Sequence, residues 1–209
     1  MKITKLFTIL AITTSTVCLT GCVNSAYDSD DFDGTVQILK GFSMKLPSVS
    51  VTADIYSLLP SDYSGFISGQ EWTLPLPGNE EEGYLIGKIR VDKFSNDLDD
   101  ALKAGNMEIK CRVANEIPAD LIPRITVTGE RSSNFKITCE DIISKGNTNE
   151  PAETTIHLSV VSEDGSAYFE EIEFALYSTQ KVVTFNKAQS IVIDNFVIAF
   201  PKGLVIQDK

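Results

Sequence analysis

The chain has 209 residues, with 18 basic and 29 acidic side chains, one histidine and a formal net charge of −11. An acidic balance of this size disfavours nucleic acid and anionic membrane as partners, because phosphate contacts need clustered Lys and Arg. A single histidine, and four cysteines with no C-x-x-C pair, disfavour a zinc site, and no cofactor motif is present.

Lys2 and Lys5 precede the apolar run Leu6–Ile12, which continues with small residues to Val17 and Leu19. The run is too short and too Thr-rich to span a bilayer, which takes roughly 20 mostly apolar residues. Its plan is that of a cleaved export signal. It ends in Leu19-Thr20-Gly21-Cys22, which resembles the lipobox of bacterial lipoproteins: aliphatic Leu19, a tolerated Thr20, small Gly21 before the cleaved bond, then Cys22. The resemblance implies that residues 1–21 are removed. Cys22 then becomes the mature N-terminus, carrying a thioether-linked diacylglycerol and an amide-linked acyl chain of the palmitate type. Burying acyl chains contributes about 0.8 kcal/mol per CH2, so several chains anchor stably where one would not. An ordinary signal peptide with a chance cysteine is the alternative. Cleavage leaves 16 basic and 29 acidic side chains on the mature chain, because Lys2 and Lys5 leave with the leader.

Residues 22–33 contain Asp28, Asp30, Asp31 and Asp33 and few apolar side chains. Such a segment buries too little surface to fold and reads as a solvated tether. Acidic residues soon after a lipidated cysteine are similar to the surface-export signal of Bacteroidota lipoproteins. That similarity implies an outer-membrane anchor facing the cell exterior; a periplasm-facing anchor is the other orientation. A calcium loop fails on spacing. Counted from Asp28, positions 5, 6 and 12 are Phe32, Asp33 and Leu39, where an EF-hand needs a ligand, glycine and glutamate.

Residues 34–92 read as a smaller N-terminal β-module. Its expected strands are Thr35–Leu39, Ser48–Ile55, an edge-type Trp72–Leu76 marked by Pro75 and Pro77, and Tyr84–Val91 after the acidic turn Asn79–Gly83. In the last of these, Leu85, Gly87, Ile89 and Val91 share one face. One short helix is predicted next: Ser95 caps it, Asp97, Asp99 and Asp100 complement its dipole, and Lys103 and Gly105 close it.

Residues 93–209 then carry seven strand signals: Met107–Val113, Arg124–Thr128, Asn134–Cys139, Thr154–Val161, Ala167–Leu176, Lys181–Phe185 and Ser190–Phe200. In the last, Ile191 and Ile193 share one parity while Phe196, Ile198 and Phe200 share the other. A bulge at Asp194-Asn195, or burial on both faces, reconciles them. Short strands between turns predict an all-β fold, an immunoglobulin-like antiparallel β-sandwich with the smaller module and the helix appended. The short helix, the following strand, the corner Asn115-Glu116-Ile117-Pro118 and the ending Phe200-Pro201-Lys202-Gly203 are similar to β-sandwich lipoproteins of Bacteroidota over residues 84–209. That family supplies no catalytic residues to carry over.

Cys111 and Cys139 share parity with the apolar residues of their strands, so both are expected to face the core. In an oxidising envelope they form either a disulfide or two buried thiols. His157 sits opposite Ile156 and Leu158, on the solvent face of a strand. Glu80–Glu82 and Glu170, Glu171 and Glu173 are the carboxylates a hydrolase could use, and charge on a solvated face is the explanation their alternation favours. Tyr63, Phe66 and Trp72, set among Gly65 and Gly69 with Gln70 and Glu71 alongside, form the one stretch suited to contact a sugar ring or a protein partner. Packing of Trp72 into the core, with Tyr63 and Phe66 packing the loop, is the competing expectation and the one the sequence favours. The chain therefore reads as a lipid-anchored envelope protein with a non-enzymatic binding or structural role. A glycan-binding accessory lipoprotein of a polysaccharide-uptake system is the alternative, and a carboxylate-based hydrolase the more distant one.

Overall fold

β-Branched and aromatic residues at every second position favour extended backbone with one buried face, and strands dominate the molecule. The computed structural model describes residues 35–38, 41–46, 49–63, 71–92, 94, 102–103, 106–128, 135–163, 171–202 and 204–207. The expected leader, Cys22, the expected acidic tether and Phe66 lie outside the described residues. In chain order the strands are Thr35–Ile38 (β1), Phe42–Leu46 (β2), Val51–Asp54 (β3), Glu71–Pro75 (β4), Gly78–Asn79 (β5), Gly83–Val91 (β6), Leu102–Lys103 (β7) and Asn106–Asn115 (β8). They continue with Leu121–Thr128 (β9), Phe135–Thr138 (β10), Ala152–Ser162 (β11), Glu171–Ser178 (β12), Val182–Asn186 (β13), Ser190–Phe200 (β14) and Leu204–Gln207 (β15). A one-turn helix, Ile55–Leu58 (α1), follows β3.

All the pairings are antiparallel. One sheet runs β10-β11-β8-β14, and the far edge of β14 is shared by β3 and β2. A second runs β5-β6-β12-β9, a ribbon joins β4 to β13, and β15 lies between β1 and β7. The inward faces meet in one core: Ile109, Val113, Ile156 and Leu158 come from the first sheet, Ile89, Val91, Ile125 and Phe174 from the second, and Trp72 and Phe185 from the ribbon. This is the expected all-β sandwich.

The expected boundary at residues 92 and 93 needs correction. β2 and β3 hydrogen-bond to β14, β4 to β13 and β6 to β12, and Thr35–Lys209 is one compact unit. The first four strands have four or five residues each and supply only part of a hydrophobic face, and their ladder partners come from the late half of the chain. The helix expected over Ser95–Gly105 is corrected at its end. Leu102 and Lys103 are strand β7, paired with Ile206 and Val205; residues 95–101 lie outside the described residues. A three-turn helix is marginal without tertiary support, and ladder hydrogen bonds to the C-terminal strand claim its last residues.

Two irregularities set which side chains enter the core. In β6 the register against β12 shifts between Leu176 and Tyr177, which pair with Gly87 and Leu85. Ile86 is the extra residue, so Tyr84 and Ile86 precede the slip inside and Ile89 and Val91 follow it inside. The single face Leu85-Gly87-Ile89-Val91 is thereby corrected. Gly87 also lets α1 sit directly on β6, since a Cβ there would run into the Leu58 carbonyl. In β14 the register slips between Asp194 and Val197, as the parity change predicts. Ile191, Ile193, Phe196, Ile198 and Phe200 are all buried as a result.

The slip in β14 depends on Asn195, whose φ is 55°. That left-handed conformation suits Gly and Asn and penalises β-branched residues. Beside it, Arg112 Nε and Nη2 donate to Asp194 Oδ1 and Oδ2 at 2.8 and 2.6 Å, and Nη1 donates to Glu153 Oε1 at 3.0 Å. One guanidinium therefore ties β14, β8 and β11 together at the bulge.

Three outcomes follow from this packing. Trp72 is only 6% exposed and pairs with Phe185, so Trp72→Ala should cost about 3–5 kcal/mol; a chemical denaturation curve followed by circular dichroism measures it. Asn195→Gly should leave the unfolding midpoint unchanged or raised, whereas Asn195→Val should cost about 1–3 kcal/mol. The third outcome concerns Glu173. Hydrogen bonds from Lys88 at 2.8 Å, and then from Arg90 at 3.1 Å, hold its carboxyl below the ordinary value of 4.5 despite burial, which pushes the other way. A depressed folded-state value stabilises the fold above the unfolded value and is lost as pH falls through the folded one. Melting temperature should therefore drop as pH falls below about 4.5, and Glu173→Gln should flatten that part of the profile.

Candidate binding surfaces

The aromatic stretch singled out by the sequence divides between core and surface. Trp72 is on β4, buried, with its Nε1 unpaired among the described residues. Tyr63 ends a 3-10 turn over Ser61–Tyr63, is partly buried against the core, and donates its hydroxyl hydrogen to the Pro75 carbonyl. Trp72 packs in the core, as the competing sequence reading expects, and Tyr63 is half-buried with its hydroxyl engaged, so neither ring forms a surface platform. Alternation in β4 puts Trp72 and Leu74 inward together. Among the described residues the exposed tyrosine ring is Tyr56, on α1, at 43%. Its centroid lies 5.4 Å from that of Trp72 at 33° between planes, and Lys187 Nζ stands 6.0 Å from its centre.

A second surface lies on the outer face of the six-stranded sheet. Strand register places Thr138, Ser159 and Glu108 in one cross-strand row, and His157 and Lys110 in the next. With Glu140 and Asp141 they line an open groove of about 550 Å³. His157 is exposed, as expected for its strand face. Asp141 gives the groove its order. β10 ends at Thr138, so the His157 N–H has no further strand partner there, and Asp141 Oδ2 accepts it at 2.6 Å. The same oxygen lies 3.1 Å from His157 Nδ1. Asp141 was missed by sequence reasoning because it lies 16 residues from His157 in a segment with no strand pattern.

This is an aspartate–histidine pair, and the serine nearest to it in β11 does not complete a triad. Ser159 is two residues along the same face of β11, a separation of roughly 7 Å, well beyond the hydrogen-bond reach that activation requires.

The carboxylates weighed for hydrolysis do not assemble among the described residues. Glu173 is salt-bridged to Lys88 and Arg90, and its depressed pKa makes it a poor proton donor at neutral pH. Glu171 is 4.0 Å from Arg90, and Glu170 lies outside the described residues. Glu80–Glu82 line a separate open cleft of about 430 Å³ with Tyr84, Arg124 and Lys181. There Arg124 stacks 4.7 Å over Tyr177 and donates to the Glu82 carbonyl at 2.7 Å. Among the described residues no cluster of three or more His, Cys, Asp or Glu side chains is arranged to hold a metal ion.

Cys111 and Cys139 are free thiols, correcting the disulfide expectation. Cys111 pairs with Ile156 on one edge of β11, while Cys139 follows β10, which pairs with the other edge. Two strand spacings come to roughly 10 Å, outside the ~7 Å that a bridge tolerates between Cα atoms. Both parities point inward, so a shared face was legible and the strand between them was not. Burial, first of all, pushes both thiols above their ordinary value, which keeps them protonated and unreactive.

No protein-family model matches the chain, and no curated protein matches it. Among solved structures, a family 29 carbohydrate-binding module complexed with cellulohexaose is 14% identical, covering 73% of this chain and 92% of that one, with a TM-score of 0.28. The mannan-recognising module TmCBM27 is 10% identical, covering 79% and 99%, also at 0.28. The C-terminal carbohydrate-binding module of a laminarinase from Zobellia galactanivorans is 15% identical, covering 72% and 98%, at 0.26. Likenesses of this size carry no assignment of ligand.

Proposed function

We propose that this chain is a lipid-anchored protein of the outer membrane, facing the cell exterior, which binds a glycan and catalyses no reaction. The anchor rests on the lipobox-like Leu19-Thr20-Gly21-Cys22 and the acidic tether after it. The observation that carries the binding role is the open groove of Glu108, Lys110, Thr138, Glu140, Asp141, His157 and Ser159. Polyhydroxyl ligands need donors and acceptors interleaved, and this groove interleaves them on a sheet whose geometry is fixed before the ligand arrives. Preorganisation lowers the ordering cost of binding. An open surface suits a long chain that continues beyond its contacts, while catalysis favours a site that excludes water.

One experiment addresses anchor and ligand together. Native protein should carry acyl mass and partition into detergent, while Cys22→Ala should do neither. On a glycan array the acylated protein should bind a subset of polysaccharides. Lys110→Ala and His157→Ala should each weaken that binding about 3- to 10-fold, the worth of one hydrogen bond. A folded, acylated protein silent across the array would replace the glycan reading with a structural role at the surface. A native protein without acyl mass would remove the anchor.

A further inference from the structure

We propose that Tyr56 is a stacking platform for a single sugar ring, with Lys187 at its rim as hydrogen-bond donor, forming a glycan subsite distinct from the His157 groove. The inference rests on the glycan reading above and adds a place on the molecule that the groove does not include. Among the described residues the exposed large apolar side chains are Tyr56, Ile142, Val161 and Val182, and only Tyr56 offers an aromatic face.

Isolated exposed tyrosines are ordinary; the foundation of this one is not. Its helical turn is capped by Asp54, which accepts the Ser57 N–H at 2.9 Å, while Ser57 Oγ donates to the Asp54 carbonyl at 2.8 Å. Ile55 and Leu58 anchor the turn from below, both buried. The Ile55 N–H donates to the Gln189 carbonyl at 3.1 Å, and the contact at Gly87 seats the turn on β6. The ring then rests on Trp72, itself locked in the ribbon opposite Phe185. Every layer beneath Tyr56 is fixed before a ligand arrives, which is what a rigid aromatic anchor requires.

The rim supplies the polar half of such a contact. Lys187 Nζ, 6.0 Å from the ring centre, stands at the outer limit of a cation–π contact. No carboxylate partner holds it among the described residues. It can swing aside and donate to a hydroxyl while the apolar face of a pyranose covers the ring. Lys187 follows β13 directly and Tyr56 follows β3, so two strand ends bring the pair together.

Trp72 is the sole tryptophan of the chain and lies beneath Tyr56, so its emission reports on this place. The acylated protein in detergent is titrated with hexasaccharides of β-1,4-glucose, β-1,3-glucose and β-1,4-mannose, by calorimetry and by tryptophan emission. A saturable emission change should match the calorimetric Kd for at least one probe. Tyr56→Phe should retain binding. Tyr56→Leu, which keeps Trp72 covered but removes the aromatic face, should lose about tenfold or more in affinity, and thermal melts confirm that both variants are folded. Calorimetric binding with silent emission and an unchanged Tyr56→Leu affinity would overturn the subsite and leave the groove as the glycan site. Absence of any calorimetric binding would overturn the subsite and the glycan reading together.

Discussion

Strand β14 holds both halves of the chain in one sandwich, and its bulge at Asp194-Asn195 is the constraint on which the rest depends. A regular strand would send either Ile191 and Ile193 or Phe196, Ile198 and Phe200 to solvent, since side chains alternate with a period of two. Fully burying a large apolar side chain contributes about 1.5–3 kcal/mol, so either loss would remove a substantial part of a typical domain's stability. The left-handed Asn195 absorbs the extra residue, and all five side chains enter the core. Arg112 fixes the place of the slip by its two-point contact with Asp194. This geometry gives the charge-assisted pair directional as well as electrostatic value.

The bulge also decides what the edges can do. On the far side of β14, Ile193 pairs with Val51 and Phe196 with Leu46, so β3 and β2 take up the two halves of one edge. β3 in turn delivers α1 onto β6 and Tyr56 onto Trp72. At the opposite edge, β10 is short, and the donor it leaves unpaired on β11 is taken by Asp141. The two surfaces nominated for ligand contact thus arise where strand pairing ends. A lone helical turn covers one end, and a single carboxylate closes the other.

Part of the charge on the outer faces ties strands together. Lys88, Arg90 and Glu173 form a cross-strand cluster on the second sheet, and Arg112 joins three strands of the first. Pairs with a solvent-exposed cation contribute little individually; they set register across strands whose inner faces are mostly apolar. Lys110 and Lys187 stand at the two surfaces proposed for ligand contact, and Arg124 and Lys181 at the open cleft of Glu80–Glu82.

By itself the sequence determined the fold class, nearly every strand after residue 105, the outward face of His157 and the slip in β14. Each of these follows from local alternation, which a strand records residue by residue. The lipobox-like motif, the acidic stretch after it and the acidic balance are equally local, since they are read from composition and spacing, and the anchor they imply is a proposal. Tertiary structure alone decided which strands are neighbours. That choice overturned the boundary at residue 92, converted Leu102 and Lys103 from helix to ladder, and set β11 between Cys111 and Cys139. It also buried Trp72, exposed Tyr56, and brought Asp141 to His157. Pairing partners are selected by the total apolar area enclosed and by which edges remain open. Those quantities belong to the whole chain, and no window of the sequence contains them.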